Sequence, residues 1–389
     1  MSQHPLYEQV TQAFYARFQA RPHMVVRAPG RVNLIGGHTD YNGGFVLPVA
    51  VDRAAWLAVR PQETTWANVR AVNMHHDDVT FPVDQVPASV GGWSDYPKSI
   101  VWAFLEQGLS PGGLDAVLLS DVPVGAGMSS SAAVELAFAY TWNVLSDFKL
   151  ASPELALLAQ KAENQYVGVN CGIMDQMISA CGRAGHAMML DTRSLERGYF
   201  PIPSGISIVV IDSLVRRALA TSEYNIRRAQ CEDAVRVLQA YLPQVMALRD
   251  VSFSDLERYG DYMSEVVFRR ARHVVRENDR VLKVAMALYS NNIETVGALM
   301  VEAHRSLRDD YEVSADELDT IVDAAMEIPG CYGARLTGAG FGGCAVALVA
   351  EDAVPELERH ICAVYQKKFD RTPAIYVTHP AGGAAVVSS

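Results

Sequence analysis

No uninterrupted apolar run in this sequence approaches the ~20 residues that a membrane-spanning helix needs. Positive charge is also in short supply. The chain carries 33 Lys and Arg against 44 Asp and Glu, a net charge of -11, which excludes a broad nucleic-acid-binding face but not a local anion pocket. No C-x-x-C pair occurs, and none of the six cysteines sits at zinc-finger spacing with histidine, so reduced thiols are expected. No Gly-Lys-Ser/Thr step marks a Walker loop, and there is no internal repeat or low-complexity tract. The opening, MSQHPLYEQVTQAFYARF, lacks the basic-then-apolar order of a secretory signal and reads as an amphipathic helix. A cytoplasmic location is the expectation.

What is present is an ordinary globular composition, half apolar and one fifth charged, in 389 residues, enough for two or three domains. Short apolar runs predict strands at 24–28, 45–51, 55–59, 116–119, 187–190, 206–211, 344–349 and 374–377. Period-3.6 patterning predicts helices at 6–19, 98–107, 130–145, 154–163, 173–181, 223–241, 262–275, 279–289, 292–304, 315–326 and 355–368. Strands crowd the first half and helices the second, an α+β pattern with two lobes. The segment PIPSG, 201–205, is the best boundary, giving lobes at 1–203 and 204–389, and the tail AGGAAVVSS is expected to fray.

Three segments carry chemistry. In DVPVGAGMSSSAA, 121–133, a strand end leads through two spaced glycines and three serines into a helix. Glycines let backbone N–H groups approach an anion, and a helix N-terminus adds partial positive charge. The segment reads as a phosphate cradle or as a plain capped helix after a tight turn. TGAGFGG, 337–343, enters an apolar run and reads as a ligand loop or a simple turn. In GIMDQ, 172–176, Asp175 lies among methionines, so it needs a charged or hydrogen-bonding partner. It is a general-base candidate or half of a structural ion pair. A fourth stretch, GRVNLIGGHTDYNGG, 30–44, spends five glycines around an arginine, a histidine and an aspartate.

Together these pieces resemble the galactokinase family of the GHMP kinase superfamily. RAPGRVNLIGGHTDYNGGFVLP (27–48) is similar to the galactokinase signature and PVGAGMSSSAA (123–133) to the superfamily ATP motif. CGIMDQMISACGRAGHAMMLDTRSLE (171–196), SEYNIRRAQCE (222–232), SLRDDYEVS (306–314) and LTGAGFGGC (336–344) continue the pattern in order. The resemblance implies a two-lobed α+β GHMP kinase fold, with an N-terminal mixed-sheet lobe and a ferredoxin-like C-terminal lobe. It implies phosphorylation of a sugar's anomeric hydroxyl with ATP and Mg²⁺ as cofactors. Carried over by position, Asp175 would be the base, and Arg31 would stabilise charge on it and on the phosphoryl group. Asp40 and Tyr224 would bind sugar hydroxyls, with Gly37, His38, Thr39 and Gly172 beside them. Gly125, Ala126, Gly127, Met128, Ser129, Ser130 and Ser131 would wrap the triphosphate and Trp93 would lie near the adenine. Ser131 and Glu163 would hold Mg²⁺. The expected partners are a small sugar, galactose or galacturonate, and MgATP, with a monomer expected.

One position departs from the family. Its usual G-E-H-T-D is here Gly36-Gly37-His38-Thr39-Asp40, without the glutamate that contacts the sugar's 6-hydroxyl. Galactose kinase activity with another group serving that hydroxyl is one explanation. A sugar altered at C6, such as galacturonate, is another, because losing the glutamate removes a like-charge repulsion. A non-catalytic sugar sensor on the same fold fits poorly, since Ser129, Ser131, Asp175 and Arg31 are all in place. A mevalonate or homoserine kinase would lack the HTDY and SEYN segments.

Overall fold

The computed structural model describes residues 4–73, 77–216 and 220–387. In chain order the elements are α1 (Pro5–Phe18), β1 (Met24–Asn33), β2 (Phe45–Val46), β3 (Pro48–Gln62), β4 (Trp66–Ala71), β5 (Asp77–Pro82), α2 (Asp95–Glu106) and β6 (Gly113–Ser120). There follow α3 (Ser130–Leu145), α4 (Ser152–Ala162), α5 (Met174–Cys181), β7 (His186–Asp191), β8 (Arg197–Pro201), β9 (Ile206–Asp212), α6 (Ala220–Gln239) and α7 (Phe253–Tyr259). The chain ends with α8 (Glu265–Tyr289), α9 (Ile293–Asp309), α10 (Asp316–Met326), β10 (Cys331–Thr337), β11 (Cys344–Ala350), α11 (Val354–Phe369), β12 (Ala374–Thr378) and β13 (Ala385–Val387). None of the described helices is long and apolar enough to cross a membrane.

The described residues form two compact units: 4–31, 50–73, 77–184 and 381–387 in the first, 32–49, 185–216 and 220–380 in the second. These cuts fall elsewhere than the 203/204 boundary read from the sequence. The segment PIPSG is a short connection from β8 to β9 inside the second unit. The reason is packing: β2 pairs with β7, and the Gly36, Gly37 and Phe45 N–H groups donate to Glu277 and Asn278 of the later helix 265–289, so the glycine-rich segment goes with C-terminal elements.

The first unit is built on a six-stranded sheet of order β13-β1-β3-β6-β4-β5. The β4–β6 pair is parallel, while β3–β6 and β4–β5 are antiparallel, so the sheet is mixed. One face is covered by α1, whose Val10 and Phe14 lie against Trp56, Ala58, Val117 and Leu119. Burying a ring such as Phe14 contributes roughly 2–3 kcal/mol. The tail does not fray as expected: Ala385–Val387 pairs with Arg27–Val25, and only 388–389 lie outside the described residues. Its valines suit an edge strand, a tendency its flanking glycines obscured.

The second unit holds an antiparallel sheet of order β10-β11-β9-β12. Val209, Ile211, Ala345 and Ala347 face Ile321 and Ala325 of α10 and Leu357, Ile361 and Tyr365 of α11. The helices read at 262–275 and 279–289 form one helix, α8, started by Ser264, whose hydroxyl accepts from the Val267 N–H. The polar stretch Arg276-Glu277-Asn278 read as a break because buried polar residues hide the apolar period. Strands β4, β5, β8 and β10 and helix α7 also escaped the sequence reading. β4 presents Trp66, Asn68 and Arg70 outward, and only Ala67, Val69 and Ala71 are buried.

Candidate active site

In the first unit, β6 ends at Ser120 and α3 begins at Ser130. Between them Gly125 and Gly127 adopt φ of 75° and 64°, and Ser129 follows at 52°. Such turns direct backbone N–H groups toward a common side. Ala126 and Met128 are buried and anchor the loop, and Arg31 N–H donates to Met128 O at 3.1 Å. Gly30 is obligatory here, because a Cβ would lie 2.7 Å from Met128 O. Ser129 occupies the N-cap of α3, yet its hydroxyl makes no capping bond and instead donates to Asp175 Oδ2. The capped-helix alternative therefore does not describe this loop. The N-terminus of α3 keeps first-turn N–H groups suited to a phosphate.

Asp175 stands in the first turn of α5. Arg31 meets it with both prongs, Nε donating to Oδ1 at 2.9 Å and Nη2 to Oδ2 at 2.8 Å. The remaining prong, Nη1, donates to Gly127 O, so one guanidinium ties the base candidate to the glycine loop. A carboxylate offers about four lone-pair sites. Arg31 and Ser129 use one on Oδ1 and two on Oδ2, which leaves Oδ1 able to accept another hydrogen bond. The Asp175 side chain keeps a quarter of its surface exposed, while that of Arg31 is 9% exposed.

Behind this pair lies a second acidic group. Glu163 opens a single π-helical turn, Glu163–Val167, at the end of α4. It accepts from Gln176 Nε2 at 2.6 Å and from the Cys171 thiol at 3.2 Å, and Ser131 also hydrogen-bonds to it. Burial pushes its carboxyl up, as does the Asp175 charge, against the lowering effect of these donors. Glu135, on α3, is wholly buried and pushed well up by burial and by Glu163. Gln176 Nε2 also donates to it, at 3.2 Å. Among the described residues no cluster of three His, Cys, Asp or Glu could hold a metal alone. Ser131 and Glu163 do fit Mg²⁺, a hard cation that takes one or two protein oxygens and completes its shell with water and phosphate. Gly172 lies in the turn before α5. Trp93, two residues ahead of α2, is half-buried, with Nε1 donating to Asp77 Oδ2 at 3.4 Å.

In the second unit the 36–44 segment is a folded loop. Gly36 takes φ 92° and His38 φ 62°, while the Thr39 hydroxyl bonds to Gly36 O at 2.9 Å and Phe45 O at 2.6 Å. The fully buried Thr39 is thus a structural pin. His38 sits in an aromatic nest: Nδ1 is 2.9 Å from Tyr41 Oη, and its ring centroid lies 5.7 Å from Tyr224 and 4.8 Å from Tyr311. Burial and the charge of His273 push it down to about 3, so it is neutral at pH 7. Asp40 remains half-buried, in the short turn Asp40–Asn42.

Gly37 faces a group the sequence reading missed. Its N–H donates to Glu277 Oε1 at 3.0 Å, and its carbonyl lies 3.0 Å from His273 Nε2. A Cβ there would meet Arg335 Nη2 at 2.7 Å. Arg335, on β10, is 0% exposed; its Nη1 donates to Leu34 O at 3.1 Å, and Nε and Nη2 have no hydrogen-bond partner among the described residues. Glu277 stands 3.9 Å away but is engaged by Arg280 Nε at 2.8 Å and by the Gly36 and Gly37 N–H groups. Burial favours protonation of Glu277, but the two arginines outweigh it and hold it down at about 2. Two buried arginines share one carboxylate, so this corner carries excess positive charge. The only sequence signal was one arginine within CYGARLT, and an isolated charge has no period to reveal it.

Comparison with known proteins shows the family. The family model "Galactokinase galactose-binding signature" matches residues 12–61, "GHMP kinases N terminal domain" 95–183 and "GHMP kinases C terminal" 284–367. A galactokinase of Roseiflexus sp. (strain RS-1) is 47% identical over 379 residues, 97% of each chain. The chain belongs to the galactokinase family. A galactokinase of Chloroflexus aurantiacus is 49% identical over 88% of each chain. The structure of Lactococcus lactis galactokinase complexed with galactose matches at TM-score 0.93 and 33% identity, covering 98% of this chain and all of the other. A mevalonate kinase at TM-score 0.65 and 17% identity shares the GHMP fold. The protein is a kinase of the GHMP type.

Proposed function

We propose that the protein transfers the γ-phosphoryl group of ATP to the anomeric hydroxyl of galactose, giving galactose 1-phosphate and ADP. The observation that carries this is Asp175 held by the Arg31 fork and by Ser129 of the glycine loop. The sugar oxygen forms the new bond to phosphorus as the bond to the β,γ-bridging oxygen breaks. The proton of the anomeric hydroxyl passes to Asp175, with Oδ1 the oxygen left to accept it. A base of this kind is worth roughly 10²–10⁴ in rate. Phosphoryl transfer otherwise needs positioning and charge neutralisation, which Arg31 and the α3 N-terminus supply. Mg²⁺, held by Ser131 and Glu163, would neutralise phosphate charge when bound with the nucleotide. Asp40 and Tyr224 serve the sugar hydroxyls, and Trp93 the adenine.

The test is ADP release with MgATP and a sugar panel, with ³¹P NMR of the product. Galactose giving an anomeric phosphate supports the reading. No sugar-dependent ADP release with galactose or any related sugar would falsify it.

A second reading concerns C6 of the sugar. It is favoured by the buried Arg335 guanidinium, whose Nη2 points at the place of the missing Gly37 side chain. A carboxylate at C6 would complement that charge, where a glutamate would repel it by roughly 4 kcal/mol at 4 Å and an effective dielectric of 20. On this reading galacturonate exceeds galactose in kcat/KM, and Gly37→Glu reverses the order. Efficient use of galactose with no ADP release from galacturonate removes it.

A further inference from the structure

Glu135 is an expensive residue for its position. It lies on α3 in an otherwise apolar stretch, AAVELAFA, and is 0% exposed. Leucine there would bury the same volume without desolvating a carboxylate. Among the described residues its Oε1 has no hydrogen-bond partner, and neither has the equally buried Oε1 of Gln176. Among the described residues the one bond to the Glu135 side chain is from Gln176 Nε2, the same nitrogen that donates to Glu163. That nitrogen has two hydrogens, so one amide group bridges two carboxylates. In this orientation the amide nitrogen donates to both groups at once. Glu135 also stands one helical turn beyond Ser131, so the two share a face of α3.

We infer that Glu135 is a positioning residue: through Gln176 it fixes the rotamer of Glu163, and so the oxygen that Glu163 presents beside Ser131 to a nucleotide-bound divalent cation. The inference rests on the reading of Ser131 and Glu163 as the metal-holding pair. Glu163 opens a π turn, an irregularity frequent at functional sites. The Cys171 thiol donates to the same Glu163 oxygen as Gln176, Oε2, at 3.2 Å. Both restraints act on Oε2 and leave Oε1 free of them.

The experiment measures binding of Mn²⁺ with ADP to the full chain by calorimetry, beside the Mg²⁺ half-saturation of turnover, the galactose KM and Tm. Glu135→Leu should weaken Mn²⁺-ADP binding about tenfold, in the range usual for groups that orient a metal ligand. It should raise the Mg²⁺ requirement, leave the galactose KM within twofold and not lower Tm. Glu135→Gln keeps an acceptor for the Gln176 amide and should bind within threefold of wild type. Gln176→Met should reproduce the loss, and decides the matter if Glu135→Leu does not fold. Wild-type Mn²⁺-ADP affinity in Glu135→Leu or, failing that, in Gln176→Met overturns the inference, as does an equal loss in Glu135→Leu and Glu135→Gln. Glu163→Gln separates the two levels. Loss there without loss in the Glu135 and Gln176 variants overturns the relay alone. Loss in none of them overturns the metal assignment and the relay with it.

Discussion

At position 37 the absence of a side chain leaves a buried guanidinium without a full set of partners. The same corner holds two neutral histidines, and they set a pH dependence. Burial pushes His273 from 6.5 down to about 4, against the nearby Glu277 charge, and His38 down to about 3. Below pH 6.5 the unfolded chain therefore binds protons that the folded chain refuses. Stability is full above about 6.5 and falls toward pH 4, by up to about 1.4 kcal/mol per pH unit for each histidine. Glu277 adds its own loss only below its ordinary value of 4.5, down to about 2. Denaturant unfolding at pH 7, 6 and 5 checks this. We expect falling stability and a slope reduced by about one proton in His273→Gln, whereas a flat profile contradicts it. At this scale, residues inside dense motifs were legible: the Ser129–Asp175 bond lies within two segments singled out by their glycines, serines and buried aspartate. Arg335, Glu277 and Glu135 were not. Each is one charge in an apolar or helical run, and its meaning depends on partners distant in the chain.

Helices and strands with a buried apolar period were readable, and α3 and β9 fall where that period placed them. Elements that bury polar groups were not, as α8 shows, read as two because Glu277 and Asn278 point at the 36–45 segment. The α9–β10 packing was equally hidden. Gly297 of α9 lies so close to β10 that a Cβ would sit 1.8 Å from Tyr332 O, and one on Gly333 would sit 2.3 Å from Gly297 O. Gly297→Ala would gain about 1 kcal/mol from helix propensity at an open site. Here the sign reverses. Overpacking costs ~1–3 kcal/mol or more, and the backbones must separate. Urea unfolding of Gly297→Ala should show a lower midpoint with an unchanged slope, and a raised midpoint would refute the close packing.

For the whole molecule, the order of motifs along the chain made the fold legible, because the sugar segment, the glycine loop and the acidic helix follow one another as they do in the family the chain resembles. Its division into compact units was not, since hydrogen bonds from Gly36, Gly37 and Phe45 to Glu277 and Asn278 of α8 draw an early segment to late elements. The claim that binds the molecule together is that Asp175 accepts the proton of a sugar hydroxyl during phosphoryl transfer. Asp175→Asn is the direct test, since it keeps the shape while removing charge and basicity. Galactose-dependent ADP release should fall about 10²–10⁴-fold, with galactose and nucleotide binding by calorimetry and Tm close to wild type. Turnover within a few-fold of wild type in a folded, substrate-binding Asp175→Asn protein would contradict the account.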